Sequence, residues 1–289
     1  MRPKPFFPRP RLKRLPERKR RMTIVAGFHC RDGIVLCADT QELIREYLKV
    51  DTPKIEIRPQ GIQHWDKPLW AAFAGSGTAP LIDKLIELMW EAANRMPPVF
   101  GETSKAMEEA NKNYHQELAT MYQASDPYYP RAEILYALSA DGQMGLFKAN
   151  GPIVTKVRDY APSGAGDILA KYICKRMYPR LGGMEVKEAV ILAVYMLDQT
   201  KGNVEGCGGE SHIVVVRPNS SPEYVLSKDV VEASIHLHNL EIAANRLLLN
   251  GANMELSDET FESELTTVMN MTRHSRQQRK DWEKQLLGR

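Results

Sequence analysis

The sequence has no run of about 18 apolar residues, so nothing in it reads as a membrane-spanning helix. It is poor in cysteine. Cys30, Cys37, Cys174 and Cys207 are its four thiols, and no two stand in a CxxC or other metal-ligand spacing. That usage suits a reducing, cytoplasmic setting better than secretion, and neither a metal nor a cofactor is expected. Cys30 and Cys37 fall in a hairpin pattern where a small buried thiol is the expected role. The chain also lacks a strong net charge, at +3. No helix-turn-helix or RNA-binding signature is present, so nucleic acid is not an expected partner.

The near balance of charge hides a split. Residues 1–22 hold ten Lys/Arg against one Glu, a local +9, so residues 23–289 sum to −6. This leader is too proline-rich and charged to pack, and it lacks the apolar stretch of a signal peptide. Three readings stand: a propeptide, a basic tail for nucleic acid or acidic lipid, or a segment outside the natural protein, with Met22 as initiator. The Met22-Thr23 pair suits the third, because methionine is readily removed before threonine. The rest is ordinary for a globular protein, 43% hydrophobic and 26% charged, and long enough to bury a large core.

Thr23 opens a strand pattern to Arg31, followed by an Asp32-Gly33 turn and a second strand, Ile34–Asp39. Short β-type runs follow at Ile55–Ile57 and Leu69–Phe73, joined by a polar stretch around Gly61–Asp66. Gly75-Ser76-Gly77-Thr78 reads as the opening of a helix with Leu81, Leu85, Leu88 and Ala92 on one stripe. A second helix spans Thr103–Tyr122, with Met107, Ala110, Tyr114, Leu118 and Met121 on one face. Ile134–Ser139 and Met144–Lys148 flank Asp141-Gly142, a strong hairpin signal, and Ile153–Val157 adds a strand. Pro162–Gly166 leads into a helix over Asp167–Met177. Val186–Leu197 is apolar nearly all round, which predicts a helix covered on both sides. A glycine-rich turn, Gly206–Gly209, precedes the strand His212–Arg217. This order predicts an α+β fold of two antiparallel sheets stacked between two helical layers.

A cut before Thr23 would leave one residue with both a hydroxyl and a free α-amine. Threonine is a poor nucleophile until a base takes its proton, and an α-amine titrates near 8, close enough to neutrality to do so. A buried lysine at Lys54 would stabilise negative charge on oxygen, and Asp39 would pair with that lysine. The bland alternatives are a strand threonine and an Asp39–Lys54 pair that only braces the fold.

These residues carry a resemblance. Thr23 at a strand head, Gly27, Asp32-Gly33, Asp39, Lys54 before Ile55, Ala74-Gly75-Ser76-Gly77 and Ser163-Gly164 resemble, in order, the proteasome β-subunit and HslV-type family of N-terminal-nucleophile (Ntn) hydrolases. The match spans Thr23 to about Arg217. It implies a four-layer αββα sandwich and a threonine endopeptidase in a self-compartmentalising ring, acting on unfolded protein or peptide, with an ATP-dependent unfoldase as possible partner. It implies Thr23, Asp39, Lys54 and Ser163 as catalytic residues, the Gly75 N–H as oxyanion donor, and Phe73, Thr52 and Gly77 at the substrate cleft, with Phe73 as pocket floor. Ser163 reads equally as a helix cap, and Phe73 equally as a core aromatic.

The chain departs from that pattern. Met22 stands where self-processing members have glycine, Ile24 replaces a common threonine, and Gln41 replaces an arginine. The aspartate that supports the active serine has Glu205 as its nearest counterpart. A catalytically inactive ring subunit and a small-amide Ntn amidohydrolase are the alternatives. Beyond Asn219-Ser-Ser-Pro222 a tail, 220–289, carries helical patterns at Ile235–Leu249, at Phe261–Met271 and then through Leu287. It ends in a basic segment, Arg273–Arg289, interleaved with Trp282 and Leu286. It is expected to pack on a neighbouring subunit or on the ring's outer surface.

Overall fold

The computed structural model of the protein describes residues 23–44, 48–59, 68–122, 130–178, 183–253 and 255–287. The expectations for the leader 1–22 and the stretch 61–66 lie outside the described residues, as do those for the Trp282 and Leu286 side chains. The hairpin predicted at the start is formed by β1 (Ile24–His29) and β2 (Ile34–Asp39), with Val25 opposite Ala38 and His29 opposite Ile34. A short hairpin that the sequence pattern did not suggest follows, β3 (Gln41–Ile44) with β4 (Leu48–Asp51). Next come β5 (Ile55–Arg58) and β6 (Leu69–Gly77). The Gly75-Ser76-Gly77 segment expected to open a helix is the end of β6, paired with β7 (Ala132–Ala140).

Helix α1 starts later, at Ala79, and runs to Asn94 with a proline in its first turn, where the missing N–H costs nothing. It buries Leu81, Leu85, Ile86, Met89 and Ala93, a stripe rotated from the predicted one. Helix α2 (Phe100–Met121) buries Met107 and Leu118 as expected but leaves Met121 exposed. Strands β8 (Gln143–Asn150) and β9 (Ile153–Val157) continue the sheet from β7. Strand β10 (Tyr160–Gly164) occupies part of the segment expected to be a helix lead-in. Helix α3 (Asp167–Met177) is followed by α4 (Val186–Asn203), which begins with a capping box between Glu185 and Glu188. Strands β11 (Ser211–Val216) and β12 (Glu223–Tyr224) complete the β structure.

The result is a mixed α/β fold with two antiparallel five-stranded sheets, ordered β10-β1-β2-β11-β12 and β5-β6-β7-β8-β9. Strand alternation divides their side chains among three apolar clusters. Val25, Ile34, Leu36 and Ala38 of the first sheet meet Ala72, Ala74, Leu135 and Leu146 of the second. The opposite side of the first sheet, with Ile24, Ala26 and Phe28, packs against α3 and α4. The opposite side of the second, with Phe73, Ile134 and Tyr136, packs against α1 and α2. Because both faces of the central strands are covered, β1, β2, β6 and β7 read as near-continuous apolar runs, not alternations.

The tail starts inside this packing. β12 pairs with β11, the Tyr224 hydroxyl donates to the Ile55 carbonyl at 2.7 Å, and Val230 and Ala233 of α5 (Ser227–Gly251) join the α4 cluster. They cover the second side of α4, which explains why that helix is apolar nearly all round. The final two predicted helical segments form one helix, α6 (Asp258–Leu287). Among the described residues no helix is long and apolar enough to cross a membrane.

Gly75 illustrates how closely α1 approaches β6. A Cβ there would stand 2.3 Å from Ile82 Cγ2. Gly75→Ala is therefore expected to destabilise the fold by about 1–3 kcal/mol, the usual cost of overpacking. Urea denaturation of the variant beside the parent measures this.

Candidate active site

Three chain segments converge on Thr23. The chain leaves β2 at Asp39, whose carboxylate is fully buried and receives four donors. The Thr23 hydroxyl donates to Asp39 Oδ1 at 2.7 Å, the Ile24 N–H at 3.1 Å and Lys54 Nζ at 2.6 Å, while the Gly208 N–H donates to Oδ2 at 2.9 Å. Lys54 precedes β5, and its ammonium uses all three protons. It donates to Thr23 Oγ1 at 2.5 Å, to Asp39 Oδ1, and to the Gln41 carbonyl at 2.5 Å. Burial, the largest influence, pulls the Lys54 ammonium below the ordinary lysine value of 10.5, and Asp39 opposes that shift. Oγ1 of Thr23 thus lies between a cation that donates to it and a carboxylate that accepts from it.

The backbone around this cluster is held from two sides. The Thr23 carbonyl accepts from the Ala165 N–H at 2.7 Å, just beyond β10. Thr40 N–H bonds the Glu210 carbonyl at 3.1 Å and Gln41 N–H the Gly208 carbonyl at 3.0 Å, joining the start of β3 to the turn after α4. Cys207 in that turn is buried, and burial with Asp39 nearby pushes its thiol up to about 12. It is a neutral packing thiol. All four cysteines are free and buried. Among the described residues no group of three or more His, Cys, Asp or Glu could hold a metal ion.

The structure therefore brings Thr23, Asp39 and Lys54 into direct contact. It does not do the same for every residue singled out in the sequence. The Gly75 N–H is donated to the Lys54 carbonyl at 3.3 Å, so it is not a free oxyanion donor. The glycine is required instead by Ile82. Phe73 is fully buried on the α1–α2 side of its sheet and stacks on Tyr136 at 5.8 Å. It is a core aromatic and not a pocket floor, because an odd position on β6 faces away from the other sheet. Gly77 adopts a φ of +131°, and a Cβ there would stand 2.1 Å from the Arg131 carbonyl oxygen, which accounts for its glycine without a ligand. Thr52 is half-buried, and its N–H bonds the Thr40 carbonyl at 2.8 Å.

Ser163 is not a helix cap. It lies within β10, and the capping position of α3 is Gly166, with no side-chain cap. Its buried hydroxyl contacts Ser76 Oγ at 2.6 Å and donates to Glu133 Oε2 at 2.5 Å. Glu205 is exposed in the turn after α4, and that turn reaches Asp39 through the Gly208 N–H. Sequence reasoning gave no site role to Gln41, Gly208, Ser76 or Glu133. The first two act through backbone atoms, which leave no residue-type signal. A glutamate inside the apolar run Ala132–Leu138 was the available sign for the last.

No protein-family profile matches the chain, and no curated protein does. The fold is similar to that of solved structures, one of them described as an ancestral beta-subunit. These are Anbu proteins. Anbu from Hyphomicrobium sp. strain MC1 superposes with a TM-score of 0.61 at 13% identity, covering 78% of this chain and 97% of that one. Anbu from Yersinia bercovieri, described as an ancestral beta-subunit, gives 0.61 at 10% identity with the same coverage. This corrects the resemblance drawn from the motifs. The structures named here are of Anbu, a proteasome-like but distinct family, where the motifs had suggested the proteasome β-subunit and HslV-type family. At such identity the likeness is one of fold alone.

Removing the cation would strand a buried carboxylate. Lys54→Met is expected to cost about 3–5 kcal/mol of stability, the range for breaking one side of a buried pair. Double substitution of Lys54→Met with Asp39→Leu should recover a substantial part of that loss in the same denaturation assay.

Proposed function

We propose that the protein is an Ntn-type amide hydrolase, a threonine endopeptidase whose nucleophile is Thr23 once residues 1–22 are removed. The observation that carries this reading is the contact of the Thr23 hydroxyl with Lys54 at 2.5 Å and Asp39 at 2.7 Å. In the full chain the Thr23 nitrogen is an amide, which cannot act as a base. Freed, it becomes an amine near pKa 8 attached to the residue whose oxygen must lose a proton. That amine takes the Oγ1 proton as oxygen attacks a peptide carbonyl, and later returns it to the leaving nitrogen. The Lys54 ammonium, already donating to Oγ1, favours the developing negative charge, and Asp39 keeps the ammonium in place.

The three apolar clusters support a four-layer αββα arrangement for 23–219, with the tail as an addition to it. Likeness to Anbu, one of them described as an ancestral beta-subunit, supports assembly into a proteasome-like ring that keeps the nucleophile from other proteins. Unfolded polypeptide is the substrate class such a compartment suits.

Intact-mass measurement and N-terminal sequencing decide whether Thr23 becomes a terminus. A peptide epoxyketone should then form a stoichiometric adduct, since it needs hydroxyl and amine together, and Thr23→Ala should abolish it. A chain starting at Met1 or Met22 that stays unmodified would leave a catalytically inactive ring subunit as the reading.

Peptide cleavage should also be bell-shaped with pH. The acid limb follows the α-amine near 8. The alkaline limb follows loss of the Lys54 proton, and burial places that limb below 10.5, so activity should fall before an ordinary lysine would titrate. A pH–rate profile from about 6 to 11, with enzyme stability checked at each end, tests both limbs.

A further inference from the structure

A second polar cluster lies outside the Thr23–Asp39–Lys54 contacts. Ser163 of β10 and Ser76 of β6 are each 1% exposed, and Glu133 of β7 is 8% exposed. Ser163 donates to Glu133 Oε2 at 2.5 Å and contacts Ser76 Oγ at 2.6 Å. Lys148 Nζ of β8 stands 3.1 Å from the same carboxylate oxygen and donates to the Pro162 carbonyl at 3.0 Å. Strand alternation puts all four between the sheets. Val25 is the register partner of Ser163, and Ala74, Leu135 and Leu146 lie two residues from Ser76, Glu133 and Lys148 in the shared apolar cluster. The cluster is also next to Thr23 in the chain's pairing. Ser163 is opposite Val25, and Ala165, two residues on, holds the Thr23 carbonyl.

A serine hydroxyl has one proton to give. Ser163 gives it to Glu133, so its oxygen meets every other partner as an acceptor, beginning with the Ser76 hydroxyl. A buried ion pair is a poor way to stabilise a core, since apolar residues of similar volume do as well or better. We infer that Glu133 is a positioning residue for the proposed Thr23 chemistry: through Ser163 it presents a fixed acceptor beside the Thr23 nitrogen, and its charge, tempered by Lys148, sets how firmly the free α-amine holds its proton. This rests on the reading of Thr23 as a chain terminus. The supporting carboxylate for which sequence reasoning offered Glu205 comes, on this inference, from β7.

The sign of each effect follows from Coulomb's law. Removing the Glu133 charge makes the ammonium form of the amine less favourable, and removing the Lys148 charge makes it more favourable. The other charges in contact with Thr23 are Asp39 from β2 and Lys54 before β5; Glu42 from β3 acts on Lys54, beside which lies the neutral Cys207 thiol. Lys148 itself lines an open groove with Arg158, Asp159 and Lys171. Apart from Lys148 itself, none of these groups changes in the variants below.

The test uses the mature chain beginning at Thr23. Competitive labelling with limiting acetic anhydride, read on the N-terminal peptide by mass spectrometry, gives the amine's titration midpoint without any substrate. Glu133→Gln should move that midpoint down, Lys148→Met should move it up, and Glu133→Asp should stay near the parent. On a fluorogenic peptide, Glu133→Gln should lower kcat about 10- to 100-fold with KM little changed, the worth of one charge-assisted hydrogen bond. Midpoints that fail to move in opposite directions, with or without a loss of kcat, overturn the inference and leave Glu133 a structural residue. A parent chain with a free Thr23 that forms no epoxyketone adduct and cleaves nothing refutes the hydrolase reading instead, while the midpoints still judge Glu133.

Discussion

One ammonium group organises this molecule's candidate site. Lys54 is removed from water and must place three protons, and the chain supplies three acceptors within 2.6 Å from residues 23, 39 and 41. A buried lysine without such partners would lose its proton. Meeting that requirement fixes the end of β2, the start of β3 and the head of β1 relative to one another. It also explains why the turn after α4 closes on the same point, since Gly208 gives Asp39 the donor that its second oxygen needs. The arrangement that satisfies the buried charge is the one that aims a threonine hydroxyl.

The two sheets provide the frame for that arrangement. Their central strands β1, β2, β6 and β7 are buried on both sides, so each is fixed by packing above and below, and the polar groups gather where the apolar cluster between the sheets runs out. Thr23, Asp39 and Lys54 occupy one part of that margin. Ser76, Glu133, Lys148 and Ser163 occupy another, and they join β6, β7, β8 and β10. Two ionic clusters at one end of one interface are expensive to bury. Their cost is more readily explained by chemistry at that end than by stability.

Much of the fold was legible in the residues. The strands Ile34–Asp39 and Ile153–Val157 and the helix Asp167–Met177 were read with the bounds that they have. The direct contacts among Thr23, Asp39 and Lys54 were approached through chemistry, because a buried lysine requires a carboxylate. Other readings failed for physical reasons. Gly75 suggested a backbone approached by a substrate, but the close approach is made by Ile82. Phe73 suggested a pocket, but its parity on β6 sends it to the helical side. The pairing of β3 with β4 left no strong alternating pattern, and β10 was hidden by Pro162 and the glycines that follow. The motif series suggested one proteasome-like family, whereas the solved structures named above are Anbu proteins, since motif spacing alone does not separate families that share a fold.

By itself the sequence determined the apolar periodicities, the turn residues, and the supply of one threonine, one carboxylate and one lysine suited to a shared site. Those are local properties, set by side-chain type and by period along the chain. Only the tertiary structure decided which backbone donors complete Asp39, that the Gly75 N–H is already engaged, and that Glu133 meets Ser163. Each of those depends on register between strands far apart in sequence, where a shift of one residue would turn every side chain to the other face.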